Sequence, residues 1–186
     1  YRMLPIDPYI LGCWLGDGCI KSSYICSGNQ DIAHFRQLGV AREQRPGYWI
    51  IRVPGLHHQL RLAGILETKR IPATYFLSSF TQRLSLLQGI MDTDGHIDKE
   101  GRCELTTVKD SLAHDYLKLI SSLGIKCSCI QSLAKLNGKV VSNRFRLNFY
   151  PPDNIDVFTL PRKRSRQRPR RGRMTQFHYI KSIQPI

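Results

Sequence analysis

Acidic residues are in short supply in this 186-residue sequence: 14 Asp and Glu stand against 28 Lys and Arg, for a net charge of +14. That deficit argues against a basic partner and favours a polyanion. Long apolar runs are also missing. The longest, around Ile10 to Leu15, is interrupted by glycine and falls far short of the roughly 20 residues a membrane-crossing helix needs. The opening residues lack a secretory signal pattern, so an intracellular protein is expected. Tyr1 is not a natural start, and the segment reads as cut from a longer chain. The six cysteines (Cys13, Cys19, Cys26, Cys103, Cys127, Cys129) include no CxxC pair, and Cys127-x-Cys129 has no histidine at finger spacing. A zinc module is thereby excluded, and the cysteines read as small, mostly buried residues in a reducing compartment.

What is present in abundance is positive charge, unevenly spread. Eight of the twelve residues from Arg162 to Arg173 are basic, and no acid occurs from Val157 to the end. Without those eight and Lys181, nineteen basic residues still face fourteen acidic ones. A basic tail alone could be an import signal or a disordered arm; a basic body as well makes nucleic acid the better partner. A hydrophobic fraction of 41% suffices for one sizeable core, or for two small halves sharing one.

The chain also repeats itself. Pro8 to Ile20 reads PYILGCWLGDGCI and residues 84 to 97 read LSLLQGIMDTDGHI. Placing Asp17 on Asp94 matches Gly12 to Gly89 and Gly18 to Gly95. Each copy predicts a short helix, apolar nearly all round, ended by a glycine C-cap and buried against its counterpart. After each comes a strand-like stretch, ending at Cys26 or Thr106, then an amphipathic helix, about 30–38 or 109–122, closed by Leu-Gly. Hairpins follow over Val40 to Val53, turning at Arg45-Pro46-Gly47, and over Lys126 to Phe149, turning at Asn137-Gly138. A last helix fits Leu56 to Leu66. Each half thus reads helix, two strands, helix, two strands: an α+β unit present twice, with boundaries expected at 1–79 and 80–164 and a basic extension over 165–186.

Asp17 and Asp94 each fall at a helix C-terminus, whose partial negative charge disfavours a carboxylate. Packing the two helices in parallel makes the placement worse, and a bound cation cancels both penalties. Two carboxylates at adjacent helix ends make a hard-oxygen site suited to Mg²⁺, with Gly12, Gly16, Gly89 and Thr93 keeping the approach close. An Asp-Gly pair is often only a turn; two in matched context, in a basic chain, point to phosphodiester chemistry.

Alternation along the strands predicts a polar, basic face. It carries Lys21, Ser23, Arg42, Gln44 and Arg52 in the first half, and Lys99, Arg102, Glu104, Gln131, Lys135, Lys139, Arg144 and Arg146 in the second. Such side chains can read base edges in a major groove that admits a two-stranded ribbon, although any one of them could equally be ordinary solvated surface.

At Leu11-Gly12-Cys13-Trp14-Leu15-Gly16-Asp17-Gly18 and Leu87-Gln88-Gly89-Ile90-Met91-Asp92-Thr93-Asp94-Gly95 the chain resembles the LAGLIDADG homing endonucleases, of the two-motif, intein-derived kind. Lys69-Arg70-Ile71-Pro72 and Gln82-Arg83 extend the likeness, which runs from about Pro8 to about Arg164. It implies a saddle of two antiparallel sheets built from a pseudo-twofold pair of αββαββα repeats over two central motif helices. It also implies metal-dependent double-strand cleavage of a long, pseudo-palindromic DNA site by a monomer. Asp17 and Asp94, with Gly16 and Thr93, are the implied holders of Mg²⁺, for which Mn²⁺ or Ca²⁺ may substitute in binding. Lys69 falls on a lysine near the scissile phosphate. Leu160-Pro161-Arg162-Lys163 echoes Leu66-Glu67-Thr68-Lys69, which makes Lys163 its partner. The run from Phe177 to Ile183 resembles the strand rejoining a splicing domain, whose own end residues are missing here.

His57-His58 point in different directions on a helix and suit a surface or phosphate-contacting role; His96, beside the second motif, suits DNA contact. Arg162, Arg164 and Arg166 are expected on phosphates. The rival reading is a catalytically inactive DNA- or RNA-binding protein on the same fold, a maturase or regulator; retention of both aspartates and of Lys69 favours the enzyme.

Overall fold

The computed structural model describes residues 3–136 and 139–167, apart from the side chains of 134–136 and 139–140. Helix α1 (Pro8–Asp17) starts with proline in its first turn under an Asp7 cap whose side chain accepts from the Tyr9 and Ile10 amides. Helix α5 (Phe80–Thr93) starts with a capping box between Ser79 and Gln82. α1 is apolar nearly all round, α5 on one face, and these surfaces bury against each other. A Cβ on Gly12 would lie 2.2 Å from the Leu86 carbonyl oxygen, and one on Gly89 would lie 2.2 Å from that of Tyr9. The two backbones therefore touch where a side chain cannot fit.

The glycines after the motif aspartates do something other than expected. Gly18 is extended (φ −81°, ψ 143°) rather than left-handed, and α5 is capped by Asp94, with Gly95 one residue beyond. A Cβ at Gly18 would lie 2.3 Å from the Trp14 ring, and one at Gly95 2.6 Å from the Met91 carbonyl oxygen. Close packing, not left-handed capping, is what requires glycine there.

In the first half follow β1 (Ile25–Gly28), α2 (Ile32–Phe35) with a 3-10 turn, β2 (Val40–Arg45), β3 (Tyr48–Arg52) and α3 (Leu56–Leu62). The strands form an antiparallel sheet in the order β1-β3-β2. The expected first strand is reduced to a bridge between Gly18 and Ile25, because Ile20 to Ser22 turn the chain instead. A short α4 (Ala73–Phe76) leads into α5. In the second half β4 (His96–Ile97), β5 (Cys103–Thr107), β6 (Cys127–Leu136) and β7 (Lys139–Phe149) form a sheet in the order β4-β5-β7-β6, with α6 (Asp110–Ser122) packed on it and α7 (Pro161–Arg164) after it.

One hydrophobic core runs through both halves, from Leu11, Trp14 and Ile51 to Leu87, Leu105, Tyr116 and Phe149. Of the cysteines only Cys13 and Cys103 are buried; Cys19, Cys26 and Cys127 are partly exposed and Cys129 is exposed. The expectation of mostly buried cysteines fails because three of these four lie on strands, at an edge or on the uncovered face. No described helix is long and apolar enough to cross a membrane.

Candidate active site

The parallel packing of α1 and α5 brings their C-termini together. Gly16 lies so close to Thr93 and Asp94 that a Cβ on it would come within 2.2 Å of the Thr93 hydroxyl oxygen. Asp17 and Asp94 are both exposed, although each has protein packed along one side. Burial on that side pushes both carboxyls above the usual carboxylate range. The Asp17 charge raises Asp94 further, while Lys69 and Lys163 oppose the shift at both. Solvent screening keeps these effects modest. Burial is the main cause at both, and at Asp94 the neighbouring Asp17 charge adds to it.

The two lysines complete the group. Lys69 donates to the Leu15 and Gly16 carbonyls at 3.2 and 3.0 Å, satisfying free acceptors at the end of α1. Lys163 donates to the carbonyls of Met91, Asp92, Thr93 and Gly95, between 2.7 and 3.2 Å, at the end of α5. Leu15 and Gly16 correspond to Asp92 and Thr93 in the repeat, so the lysines occupy matching places. Lys69 is partly exposed and takes a left-handed backbone (φ 49°), a conformation that costs energy for a side chain of this size. Lys163 is 6% exposed, and burial, with Arg162 adding to it, pushes its ammonium down to about 8. Burial also lowers Lys69, against the opposing pull of Asp94 and Asp17.

Could the residues present hold a divalent cation? Among the described residues no group of three or more His, Cys, Asp or Glu is suited to one. What remains is two carboxylates and the backbone oxygens of Gly16 and Thr93, each already accepting from a lysine but with a second lone pair free. A hard cation that keeps part of its water shell or takes phosphate oxygens fits that donor set; a soft metal needing sulfur and imidazole does not.

The sheet faces are read from register. In the second sheet Cys103, Leu105, Phe145, Leu147 and Phe149 point to the core. Glu104, Thr106, Arg144, Arg146 and Asn148 lie on the other face, and His96 pairs with Glu104 there. Arg146 lies 3.2 Å from Glu104, and Arg144 donates to Ser132 at 3.3 Å. Gln131 pairs with Phe145 and so shares the covered face, where it lines a cleft of about 260 Å³ beside α6 with His114 and Cys129. Its expected place beside Arg144 is corrected: strand alternation assigns one parity to a face, and Gln131 has the other. Ser128, Ile130 and Ser132 take the face shared with Arg144 and Arg146.

In the first sheet Arg42 and Arg52 share a face with Cys26 and Tyr48, whose side chains meet at 3.1 Å. Gln44 is exposed at a bulge. Lys21 and Lys99 are exposed on turns, and Arg102 pairs with Asp98 at 3.0 Å just before β5. Ser23 is a second correction. It is 7% exposed, in a left-handed conformation before β1, and cannot face DNA. Lys135 and Lys139 have side chains outside the described residues, as do the turn at 137–138, most of the basic run and the extension to 186. Arg162 donates both arms to Asp31 at 2.5 Å, and Arg164 pairs with Asp156; of the three arginines expected on phosphates, Arg166 is exposed and has no ion pair among the described residues. His57 and His58 are exposed on α3.

Three buried or nearly buried acids went unremarked in the sequence: Asp31, Asp92 and Asp115, between 1% and 9% exposed. Asp115 left a signal, being a lone acid among Leu112, Ala113, Tyr116 and Leu119 on the buried stripe of α6.

Comparison with known proteins bears on the family and the fold. Residues 70–152 match the family model described as homing endonuclease. The chain is 32% identical over 162 residues to a protein named replicative DNA helicase DnaB from Mycobacterium intracellulare, covering 87% of this chain and 26% of that one. It thus spans about a quarter of that relative's length. Among solved structures, mesophilic variants of the homing endonuclease I-DmoI align with a TM-score of 0.51 at 16% identity, covering 82% of this chain and 92% of that one. A structure of I-DmoI in complex with DNA and Mn aligns with a TM-score of 0.49 at 16% identity, covering 78% and 89%.

Proposed function

Because this chain carries a homing endonuclease domain, we propose that it is a site-specific endonuclease cutting both strands of DNA at the ends of α1 and α5. The observation that carries the reading is the pairing of Asp17 and Asp94 at two touching helix C-termini, each backed by a lysine donating to its own helix end. Evolution has no structural reason to gather two carboxylates where the helices repel them.

A divalent cation, Mg²⁺ by donor type, would be held by Asp17 and Asp94 with the Gly16 and Thr93 carbonyls. When bound it supplies polarisation of a phosphate oxygen and a more acidic water. The chain's own residues do the rest. Lys69 and Lys163 place positive charge beside the helix ends, where a phosphate's developing charge would otherwise meet only carbonyls and carboxylates. Burial lowers both ammonium groups, and that of Lys163, pushed down to about 8, brings proton transfer within reach near neutral pH. The faces bearing Arg42, Arg52 and Tyr48, and His96, Arg144, Arg146 and Asn148, lie against the duplex on either side, the larger second sheet making more base contacts.

The match to a quarter of a helicase supports an endonuclease inserted in such a host, an intein in form: an alignment of that length in a 186-residue chain necessarily includes residues 70–152. The unit acts as a monomer, since both motif helices come from one chain. The decisive assay is cleavage of a randomised duplex library with Mg²⁺, beside Asp17→Asn and Asp94→Asn. Specific cuts lost in both variants support the enzyme. Selective binding without cleavage in Mg²⁺ or Mn²⁺ would leave a binding protein on this fold.

A further inference from the structure

Lys69 and Lys163 are each tied, through the arginine next in sequence, to the opposite half of the molecule. Arg70, directly after Lys69, donates Nε and Nη2 to the two carboxylate oxygens of Asp115 on α6 at 2.6 and 2.9 Å. The Ile71 amide adds a third bond at 3.0 Å. Lys69 itself caps α1, in the first half; its anchor is in the second. Arg162, directly before Lys163, donates Nε and Nη2 to the two oxygens of Asp31, both at 2.5 Å. Lys163 caps α5, in the second half; its anchor is in the first.

These forks are not copies of one ancestral contact. One arginine follows its lysine and the other precedes it. Asp31 is the N-cap residue of α2, whereas Asp115 lies within α6. An N-cap aspartate ordinarily accepts from its own helix, but Asp31 makes no such bond and gives both oxygens to Arg162. Two unrelated residue pairs have arrived at one arrangement, which argues for a shared requirement. Planar bidentate pairing is the geometry that fixes both distance and direction. Asp115 is 5% exposed and Asp31 9%, so neither is a loose surface contact.

We propose that Asp115 and Asp31 are positioning residues, each holding the lysine of the opposite half in register with the Asp17 and Asp94 pair, so that each fork governs the cutting of one DNA strand. The inference rests on the endonuclease reading for its strand assignment, but not for the lysine geometry. Asp115 acts on Lys69 through the Arg70–Ile71 backbone, and the strained φ of Lys69 is a conformation that such an external tether can maintain. Asp31 acts on Lys163 through Arg162, at the first turn of α7. Displacing either ammonium by about 1 Å is enough to cost on the order of 10- to 100-fold in rate at its own phosphate.

The test uses a supercoiled plasmid carrying a duplex recovered from the library selection. Nicked and linear products separate one cut from two, and strand-specific end labels on the denatured products show which strand was cut. Asp115→Asn is expected to slow one cut by that factor and to accumulate nicked circles; Asp31→Asn should do the same for the complementary strand. The exchanges Arg70→Asp with Asp115→Arg, and Arg162→Asp with Asp31→Arg, restore linear product if charge pairing positions the lysines. Equal slowing of both strands by either variant overturns the proposal, as does lowered thermal stability with unchanged strand rates. A second readout needs no turnover: ¹⁵N spectra of the lysine ammonium groups. Asp115→Asn should shift the Lys69 signal and leave that of Lys163, with the reverse for Asp31→Asn. Unmoved signals would reject the tether even in a protein that cuts. Shifted signals in a protein that never cuts would keep the tether and discard the endonuclease reading.

Discussion

Leu15 and Asp92 occupy the same place in the two central helices, and each is 1% exposed, yet one is a hydrocarbon and the other a carboxylate. Leu15 is simply core. Asp92 accepts from the Thr159 and Leu160 amides at 3.0 Å and from the Tyr9 hydroxyl at 2.7 Å, and the Thr159 hydroxyl also bonds to it. It thereby pins the segment that delivers Lys163. The first half delivers Lys69 with no counterpart of Asp92 and uses two carbonyl bonds where the second uses four. Its sheet has three strands against four, and its hairpin strands are 6 and 5 residues long against 10 and 11. What the halves share is confined to the helix contact and the aspartate ends. Divergence is tolerated wherever a lysine can be brought to the same carbonyls by another route.

The comparison breaks most readily at the position that differs. Leu15→Ala should destabilise the protein by about 2–5 kcal/mol, the transfer and cavity cost of a buried leucine. Asp92→Asn keeps the shape but turns a shared acceptor into a group with two donors of its own, at a cost of about 1–3 kcal/mol. Urea unfolding of both variants measures the pair. An Asp92→Asn protein as stable as the parent would make those bonds ornament to an apolar site.

Base recognition comes next. Arg144→Ala and Arg146→Ala are each expected to cost about 1–3 kcal/mol of discrimination at positions within one half-site, read by binding to a library of single-base variants. Arg42→Ala should cost less and act on the other half-site; equal losses would remove the asymmetry argued from hairpin length.

The smallest effect concerns the aspartates without metal. Their carboxyls are raised in the folded chain, so folding favours the neutral forms. The penalty is absent below the unfolded carboxyl value, grows as pH rises through the window to the folded value, and is complete above it. At neutral pH Asp94→Asn should therefore stabilise the metal-free protein, by less than about 1 kcal/mol given the exposure of the site, or about 2–4 °C at most. The same substitution should abolish any stabilisation by Mg²⁺ in a thermal melt. A metal-free melting point that falls instead would mean that Asp94 is a structural acceptor.

Much of this architecture was legible in local patterns: glycine spacing marked the helix contact, and the Asp-Gly endings marked the site. Amphipathic runs located α2 and α6, and turn residues located the first hairpin. Lys163 was reachable only through its sequence echo of Lys69. The errors fell where alternation alone had to choose a face. Gln131 was assigned the wrong parity, and Ser23 was placed on a strand that the chain turns away from. The anchoring acids were missed because their partners lie 44 to 131 residues away, separations at which spacing carries no information.

By itself the sequence determined the duplicated α+β plan, the basic surface and the two acids at helix ends, because these follow from composition and from periods of two to four residues. Only the tertiary structure decided which lysines meet those helices, which half holds each, and which strand residues face outward. Those outcomes depend on packing between distant segments, where one register step or one buried carboxylate changes the result and leaves the local pattern unaltered.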